Sequence, residues 1–269
     1  MKEYTKPMLA TGYEVSKVSF PCLIQPKFDG CRALLCLIGD GEAHLLSRTG
    51  KEYNVPHILK WANEHKELLP LDGELYCHEE LTFQQICSAV KCYSPWTEML
   101  KYVVYDRPVD TMTNISRMAW LNDNLRPALG NGVELSDTYM AFSVKDIDSW
   151  HEVFVSRGYE GAIVRNQDAL YQEGRSDNLI KVKKFDTTEF EIIDVIEAGG
   201  KDAGTAIFRL KSGDYSFYAR PVGPKELRSR YLRNKESLKG KKCTIQHFGY
   251  TDGGIIPRFP VALGIRDYE

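Results

Sequence analysis

The chain has 269 residues, of which 43% are hydrophobic, and carries a formal net charge of −2. This length and apolar content suffice for one large or two modest globular domains and argue against a disordered or fibrous protein. No apolar run is long enough to cross a bilayer, no secretory leader is recognisable, and the seven cysteines form no C-x-x-C pair, so we expect a protein of a reducing cytoplasm without a zinc site.

Charge is distributed unevenly along the chain. Residues 1–200 carry 21 Lys+Arg against 30 Asp+Glu, a net −9, whereas residues 201–269 carry 14 against 7, a net +7. Much of the positive excess lies in residues 225–242, here called the basic segment. Such a segment can meet nucleic-acid phosphates by releasing counterions, and a solvated helix face is the alternative interpretation.

Short strands and helices alternate through the first two thirds of the chain. β-Branched and aromatic runs predict strands over residues 20–25, 31–38, 43–47, 71–77, 101–105, 161–165 and 179–183. Gly39-Asp40-Gly41 predicts a hairpin turn between the second and third of these strands. Apolar spacing predicts helices over residues 57–69, 115–129 and 147–157, and Thr82 with Gln85 forms a capping-box pattern for a helix through Ala89.

Beyond Phe185 the pattern changes to five short β-rich segments, at residues 190–196, 206–210, 215–219, 243–248 and 261–265. One helical stretch, residues 224–238, falls between the third and the fourth segment. Five strands with a helix after the third are typical of an OB-fold barrel, a scaffold that often binds nucleic acids. The polar residues 186–189 predict a boundary between two domains, residues 1–186 and 187–269.

Charged residues interrupt or flank the apolar strands in an ordered series. The first is QPKFDGCR, residues 25–32, where a single K-x-D-G pattern would be a weak signal. The segments that follow it in order are Ser47-Arg48-Thr49-Gly50, Asp72-Gly73-Glu74-Leu75, residues 102–106, residues 160–165, Lys181-Val182-Lys183, Arg258-Phe259-Pro260 and Arg266-Asp267. Since strand residues alternate between faces, these groups would lie at strand ends or on the concave face between sheets.

This series, from Gln25 to Arg266, resembles the covalent nucleotidyltransferase superfamily, and within it the small ATP-dependent DNA ligases of viral, phage and bacterial type. The ending RFPVALGIRD is especially similar to theirs. The resemblance implies an α+β fold of two domains, an ATP-grasp-like nucleotidyltransferase (adenylation) domain of antiparallel sheets flanked by helices and a C-terminal OB-fold barrel. It implies sealing of 3′-hydroxyl/5′-phosphate nicks in duplex DNA, in replication, repair or recombination, through enzyme-adenylate and DNA-adenylate intermediates.

A lysine suits this chemistry for a physical reason. Attack on the α-phosphorus of ATP needs a nucleophile that holds AMP as a labile phosphoramidate, and an amine attacks only when it is unprotonated. Because the ordinary pKa of lysine is about 10.4, nearby cations must lower it. Lys181 and Lys183 alternate along a strand and would face the same phosphates, where they also neutralise transition-state charge. An edge strand protected by lysines is the alternative.

The resemblance implies a role for each of the remaining residues. Lys27 would be the adenylylated nucleophile, and Asp29 would orient the reacting groups, chiefly in the sealing step. The residues expected to bind ATP are Gln25 at the adenine edge, Tyr105 on the adenine face, Glu74, Arg32 and Arg48 at the ribose and 5′-phosphate, Glu160 through a metal, Lys181 and Lys183 at the phosphates, and Arg258 and Arg266 over the pyrophosphate. Glu160 and Glu74 would hold the divalent metal, Mg²⁺ or alternatively Mn²⁺.

Some of these positions have other interpretations. Gln25 stands where larger ligases often carry glutamate, and it could simply end a strand. Arg165 stands where many relatives carry lysine. Arg258 and Arg266 would need a hinge near Asp186 to swing over ATP, and otherwise they are surface charges of a barrel.

The chain departs from its larger relatives in how it could hold DNA. Relatives that encircle DNA with few parts use a long hairpin between the first two barrel strands, whereas residues 198–205 are too few for one. We therefore expect a leaner clamp with modest, strongly salt-dependent affinity for nicks. The residues expected to bind DNA are Arg48, Lys201, Arg228, Arg230, Arg233, Lys241 and Lys242. We expect a monomer without an obligate protein partner, in the cytoplasm of the host if the source is a phage or virus.

Three other functions stay open on sequence grounds. An mRNA-capping guanylyltransferase shares the K-x-D-G-x-R pattern, and an RNA ligase belongs to the same superfamily. A non-catalytic OB-type module would use the lysines only as phosphate contacts. Labelling by ATP, by GTP or by neither separates these alternatives.

Overall fold

The computed structural model describes residues 6–39, 41–183, 186–247, 249–251 and 254–266. Its contacts divide the chain into two compact units, Met1–Lys183 and Lys184–Glu269. Asp186 is the first residue of a strand in the second unit. The domain boundary expected after residue 186 therefore falls within that strand. This boundary stays a prediction. The hinge was expected near Asp186, and the two residues that precede it, 184 and 185, lie outside the described residues.

Ten strands form two five-stranded sheets within the described residues of the first unit. They are β1 (Met8–Gly12), β2 (Cys22–Lys27), β3 (Cys31–Leu37), β4 (Ala43–Ser47), β5 (Leu71–Tyr76), β6 (Lys101–Asp106), β7 (Val133–Leu135), β8 (Tyr139–Ala141), β9 (Gly161–Asn166) and β10 (Gly174–Lys183). The first sheet has the order β1-β10-β9-β2-β8 and the second β4-β3-β5-β6-β7. Pairing is antiparallel except for the parallel pairs β1–β10 and β6–β7. The expectation of antiparallel sheets with helices is confirmed.

The register of these sheets brings the charged residues together. Lys27 on β2 and Lys183 on β10 pair with Gly161 of β9 from opposite sides. In the second sheet, Arg32 on β3 lies opposite Glu74 on β5. Residues far apart in sequence therefore become neighbours through strand pairing.

Helices cover the sheets of the first unit. They are α1 (Pro56–Glu64), α2 (Phe83–Ala89), α3 (Pro95–Met99), α4 (Asn114–Trp120) and α5 (Val144–Ser156). Pro56 opens α1, where its missing N–H costs nothing, and α1 buries Ile58 and Trp61 in the largest apolar core. α5 buries Ile147 and Phe154 beside the first sheet. Burying a side chain of Phe size contributes about 2 to 3 kcal/mol, so these apolar stripes hold the helices in place.

The helix predicted over residues 115–129 is shorter in the structure. α4 ends at Trp120, and the chain continues as a π-helical segment, Leu121–Leu125, and a 3₁₀ turn, Arg126–Ala128. Pro127 has no N–H to donate to the carbonyl four residues earlier, so a regular α-helix cannot continue through it. By contrast, the capping box is confirmed, because Gln85 N–H donates to Thr82 and the Gln85 side chain accepts from the Thr82 N–H.

Within its described residues, the second unit is a closed five-stranded barrel. Its strands are β11 (Asp186–Glu197), β12 (Ala206–Ser212), β13 (Tyr215–Pro221), β14 (Lys242–His247) and β15 (Val261–Arg266), in the order β11-β12-β13-β15-β14. α6 (Lys225–Arg233) and a 3₁₀ turn, Lys235–Leu238, follow the third strand as predicted. Phe190, Phe208 and Phe217 fill the barrel core. The OB-fold order is confirmed, although the predicted end of its fourth strand, Phe248, lies outside the described residues.

Candidate active site

A cavity of about 740 Å³ in the first unit collects most of the predicted nucleotide-binding residues. Its volume is in the range of small-molecule and cofactor sites. The predicted residues that line it are Gln25, Lys27, Arg32, Arg48, Glu74 and Tyr105. Leu9 and Ala10 of β1 also line it, and sequence reasoning missed that strand.

Lys27 shares a carboxylate with Lys183. Both ammonium groups donate to Glu160, one to each carboxylate oxygen, and the three side chains are about four-fifths buried. Burial disfavours the charged carboxylate, but the charge of Lys27 and the hydrogen bonds from both lysines outweigh it and hold the pKa of Glu160 below its ordinary value. Sequence analysis named all three residues, with Glu160 as a metal ligand, and the structure adds that Glu160 contacts both lysines.

The pKa of Lys183 lies below its ordinary value. Burial is the largest cause, the charges of Lys27 and Lys181 act in the same direction, and the bond to Glu160 opposes them. Lys181 stands two residues earlier on β10, on the same side of the strand, as the alternation predicts. The expected role of these two cations in activating Lys27 stays a prediction.

Gly161 makes the close approach of β9 and β10 possible. It adopts a φ of +153°, which L side chains rarely adopt, and a Cβ there would collide with the carbonyl oxygen of Val182. Glycine at this position therefore lets Lys27 and Lys183 converge on Glu160, its neighbour in sequence.

Arg32 is fixed by a carboxylate that sequence reasoning left without a role. Its Nε and Nη2 donate to the two oxygens of Asp72, at 2.9 and 2.5 Å, and Nη1 donates to the Met8 carbonyl at 2.5 Å. Asp72 is fully buried and also accepts from the Tyr171 hydroxyl at 2.9 Å. A fork-to-fork pair of this kind sets the guanidinium plane as well as its position.

Glu74 and Tyr105 meet in the cavity. The Tyr105 hydroxyl donates to Glu74 at 3.2 Å, and the guanidinium of Arg32 lies 5.6 Å from the centre of the Tyr105 ring. Burial raises the pKa of Glu74 to about 7, although the charges of Lys27 and Arg32 and the Tyr105 hydrogen bond favour the ionised form. A carboxyl group in this range changes protonation near neutral pH.

This raised pKa gives a pH-dependent stability. The pKa of Glu74 is higher in the folded state than its unfolded value of 4.5. Its contribution to the free energy of unfolding is therefore fully present below pH 4.5 and is lost as the pH rises through about 7. We expect Glu74→Gln to be more stable than wild type at pH 8, by on the order of 2 kcal/mol, and the difference to vanish near pH 4. Melting temperatures in EDTA across this range measure it. Glu152→Gln, on the exposed side of α5, is the matched control, and a Glu74→Gln protein less stable than wild type at pH 8 contradicts the prediction.

Gln25 and Arg165 belong to a buried polar network beside the cavity. The Gln25 amide donates to the Tyr105 carbonyl at 3.0 Å and to Thr138 at 2.9 Å, and its oxygen accepts from Arg165 at 2.7 Å. Both amide hydrogens are therefore used within the protein, which leaves one lone pair of the oxygen for an adenine edge. Arg165 is 2% exposed and also donates to Asp106 at 2.5 Å.

Asp106 anchors that network. It is fully buried and accepts from Arg165 and from two nitrogens of Arg117, at 2.7 and 3.2 Å. Burial opposes its ionisation, but Arg165 and Arg117 outweigh that cost and lower its pKa. Sequence analysis included Asp106 in the motif at residues 102–106 but gave it no role.

Asp29 and Arg48 lie at the margin of the site. Asp29 lies in the short loop between β2 and β3, partly exposed, and is not among the residues that line the cavity. Arg48 is exposed and lines the cavity from the turn after β4. Arg48 therefore lies in the cavity lining with the predicted nucleotide-binding residues, whereas Asp29 lies outside that lining.

Arg258 and Arg266 belong to the barrel unit. Arg258 precedes β15, and its guanidinium lies 5.7 Å from the ring of Phe259. Arg266, at the end of β15, donates to Thr244 at 2.7 Å and pairs with Glu189 at 3.4 Å. Their roles at the pyrophosphate stay predictions.

The predicted DNA contacts divide into two groups. Lys201, Arg230, Arg233 and Lys242 are exposed on the barrel unit, and Lys241 is partly buried. Arg228 is different, because its side chain is only 8% exposed and its Nη1 pairs with Asp202 at 3.0 Å. It stands on the same side of α6 as Tyr231 and Leu232, which pack on the barrel core. This ion pair argues against the DNA-binding role expected of Arg228.

Two carboxylates fit a divalent cation. Glu74 lines the cavity with Lys27, and Glu160 contacts Lys27 directly. Mg²⁺ usually takes one or two carboxylates and completes its octahedron with water and phosphate oxygens, so this donor set suits it. Among the residues that the structure describes, no three His, Cys, Asp or Glu side chains are grouped to hold a metal.

No helix in the described ranges has the length and apolar content needed to span a membrane.

Comparisons with known proteins agree with this geometry. Residues 7–183 match the model of a family described as the ATP dependent DNA ligase domain. A DNA ligase of African swine fever virus is 29% identical over 275 residues, which cover 91% of this chain and 63% of that protein. This chain therefore spans just under two thirds of that curated relative.

Solved structures resemble the whole chain. One, from a structure-function analysis of Lig E DNA ligases that concerns DNA binding with a minimal scaffold, has a TM-score of 0.81 and 25% identity, covering 98% of this chain and 100% of that one. Another, a Chlorella virus DNA ligase-adenylate, has a TM-score of 0.56 and 28% identity, covering 98% of this chain and 99% of that one. The two-unit architecture is common to them.

Proposed function

This chain belongs to the family of ATP-dependent DNA ligase domains, and on that premise we propose that it seals 3′-hydroxyl/5′-phosphate nicks in duplex DNA with ATP. The observation that carries the proposal is the contact of Lys27 and Lys183 with Glu160, together with the cavity that Lys27, Arg32 and Tyr105 line. A lysine amine, a second cation and a carboxylate in contact with one another suit nucleotidyl transfer, which supports the proposal.

In the first step, the Lys27 amine attacks the α-phosphorus of ATP, a nitrogen–phosphorus bond forms, and pyrophosphate leaves. Lys183 faces the same carboxylate as Lys27 and is placed to neutralise charge on the phosphates. Glu160 holds the Lys27 nitrogen at the cavity before attack. Mg²⁺, or Mn²⁺ in its place, held by Glu160 and Glu74, would supply further neutralisation of phosphate charge.

Residues of the second sheet and of β2 hold the nucleoside. Tyr105 offers its ring to adenine, and Gln25 keeps one oxygen lone pair for the base edge. Arg32 on β3 and Glu74 on β5 are paired neighbours on one face of the second sheet, and both contact the ribose hydroxyls. Because these residues hold ATP in place, attack by Lys27 occurs within one complex and is effectively unimolecular.

Two steps on DNA follow. The 5′-phosphate of the nick attacks the lysine-bound AMP, which frees Lys27 and gives a DNA-adenylate. The 3′-hydroxyl then attacks the 5′-phosphorus, a phosphodiester forms, and AMP leaves. Asp29, beside Lys27, orients this last attack, and Arg48 at the cavity mouth contacts the 5′-phosphate.

Nucleotide labelling tests the proposal. The protein is incubated with Mg²⁺ and ATP or GTP labelled at the α-phosphate, and we expect an acid-labile, base-stable adduct from ATP alone. The adduct is then offered duplexes with a 5′-phosphorylated nick in DNA or in RNA. Labelling from GTP would instead indicate a capping enzyme, sealing of RNA alone an RNA ligase, and no label a binding module.

DNA binding by the barrel unit is part of the proposal. Each phosphate contact adds about 0.9 to the slope of log affinity against log salt, so we expect nick affinity to fall steeply between low and moderate salt. Arg230→Ala should weaken binding and reduce that slope by about 1 without changing the melting temperature. Arg228→Ala, on the same helix, should instead lower the melting temperature, because it leaves Asp202 without its closest partner. Electrophoretic shift assays at several salt concentrations measure both, and equal effects of the two variants contradict the assignment.

We propose that the chain acts as a monomer, without an obligate protein partner, in the cytoplasm, or in that of the host for a phage or viral source. The seven cysteines, all among the described residues, are free thiols, which suits a reducing compartment. Size measurement in solution tests the monomer.

A further inference from the structure

One buried hydroxyl connects the N-terminal strand to the arginine of the nucleotide cavity. Tyr171 is 5% exposed. Its hydroxyl accepts from the Met8 N–H at 3.1 Å and donates to Asp72 at 2.9 Å.

The two partners of Tyr171 are also the two partners of Arg32. Asp72 accepts from Arg32 through both carboxylate oxygens, and the Met8 carbonyl accepts from Arg32 Nη1. Tyr171, Met8, Asp72 and Arg32 therefore form a closed ring of contacts. A guanidinium has five N–H groups, and these contacts leave one on each terminal nitrogen of Arg32 for a ligand in the cavity.

The ring of Tyr171 is itself held in place. The guanidinium of Arg117 lies 5.4 Å from its centre, and Arg117 is fixed by the buried Asp106. The hydroxyl consequently sits at a defined point, and the strand β1 is attached to it. Leu9 and Ala10, which follow Met8, line the cavity, so displacement of β1 also displaces a cavity wall.

We propose that Tyr171 is a positioning residue for nucleotide binding, which orients Arg32 through Asp72 and Met8 and holds β1 against the cavity. This rests on the proposed function, in which Arg32 contacts the ribose of ATP. Without the hydroxyl, the Met8 N–H is buried without its acceptor and Asp72 loses one of its donors, so the Arg32 plane is no longer fixed.

Tyr171→Phe tests this proposal. In single-turnover adenylylation we expect the ATP concentration that gives half of the maximal rate constant to rise about tenfold. The maximal rate constant itself should change less than about threefold, because binding and not chemistry is altered. In a Lys27→Ala background, which cannot react, the Kd for ATP by calorimetry should rise by a similar factor. The ribose contacts, which Arg32 shares with Glu74, are probed with 2′,3′-dideoxyATP, which lacks both ribose hydroxyls. The ratio of the Kd for dideoxyATP to the Kd for ATP should be at least about threefold smaller in Tyr171→Phe than in the parent. Such a reduction is expected when two groups act together.

Tyr102→Phe is the matched control. Tyr102 is also fully buried and does not line the cavity, and its hydroxyl donates to the carbonyls of Ala33 and Leu71, at 3.1 and 3.0 Å, rather than to Asp72 or Met8. It should lower the melting temperature and leave the Kd for ATP unchanged. An unchanged Kd in Tyr171→Phe, an equal rise in Tyr102→Phe, or an undiminished ratio of the Kd for dideoxyATP to the Kd for ATP each overturns the inference.

The two proposals fail in different experiments. If the wild-type chain forms no adduct on Lys27, the proposed function is wrong, while calorimetry in the Lys27→Ala background still measures the effect of Tyr171. If the adduct forms and Tyr171→Phe binds ATP as the parent does, the function stands and the inference is wrong.

Discussion

Lys27→Ala is expected to abolish formation of the ATP adduct and nick sealing, by on the order of 10⁴-fold or more. The side chain ends β2 inside the cavity and is held there by Glu160, so the substitution removes the amine that the proposed mechanism requires at the α-phosphorus. Adduct formation with labelled ATP and mass spectrometry of the labelled peptide measure the effect.

Lys27→Arg separates the nucleophile from its charge. Arginine keeps a cation beside Glu160 but cannot lose its proton in a protein, so we expect this variant to fold, to bind ATP and to form no adduct. Lys145→Ala, on the exposed side of α5, is the control for loss of a lysine and should label as wild type does. An adduct on either Lys27 variant would place the nucleophile elsewhere and remove the basis of the proposed mechanism.

The nucleotide cavity was largely predictable because its residues lie in short local patterns. Lys27, Arg32 and Glu74 lie on or at the ends of three predicted strands, and the family resemblance assigned them to one site. The structure adds that strand pairing brings Lys183 to the same glycine as Lys27. Glu160 was expected as a metal ligand, but its contacts with both lysines were not predicted, because they depend on the register of three strands.

The residues that support the site were missed for the same reason. Asp72 lies 40 positions from Arg32 and 99 from Tyr171, and no local pattern joins residues so far apart. Asp106 and Arg117 each have an ordinary appearance in sequence, and only the packing of α4 on β6 makes them partners. Sequence patterns identify groups that face a ligand more readily than groups that face one another.

The errors in predicting the fold from the sequence have local and long-range causes. β7 and β8 have three residues each, too few for a periodic signal, and β1 is defined by its parallel pairing with β10. Arg228 was predictable in principle, because helical spacing puts it on the side of Tyr231 and Leu232. Counting the basic segment as one charged surface concealed that periodicity.

Asp106→Ala is expected to have the largest effect on stability. The carboxylate is the shared partner of Arg117 and Arg165, which are 0% and 2% exposed, so its removal leaves two buried guanidiniums without their anion. Breaking a buried ion pair by removing one partner costs about 3 to 5 kcal/mol. For a unit of this size that corresponds to a fall of roughly 10 °C in the melting temperature of the first unit, measured by calorimetry.

Asp106→Asn and Asp110→Ala complete the test. The asparagine keeps the shape but offers one acceptor oxygen to donors from Arg117, Arg165 and the Arg107 N–H, so we expect an intermediate loss of stability. Asp110 is exposed in the loop that follows β6, and its replacement should leave the melting temperature unchanged. The affinity for ATP should fall in the order of the losses of stability, because Arg165 fixes the Gln25 amide beside the base. A stable Asp106→Ala protein would mean that the two guanidiniums find other partners or solvent, and that Asp106 does not anchor the network.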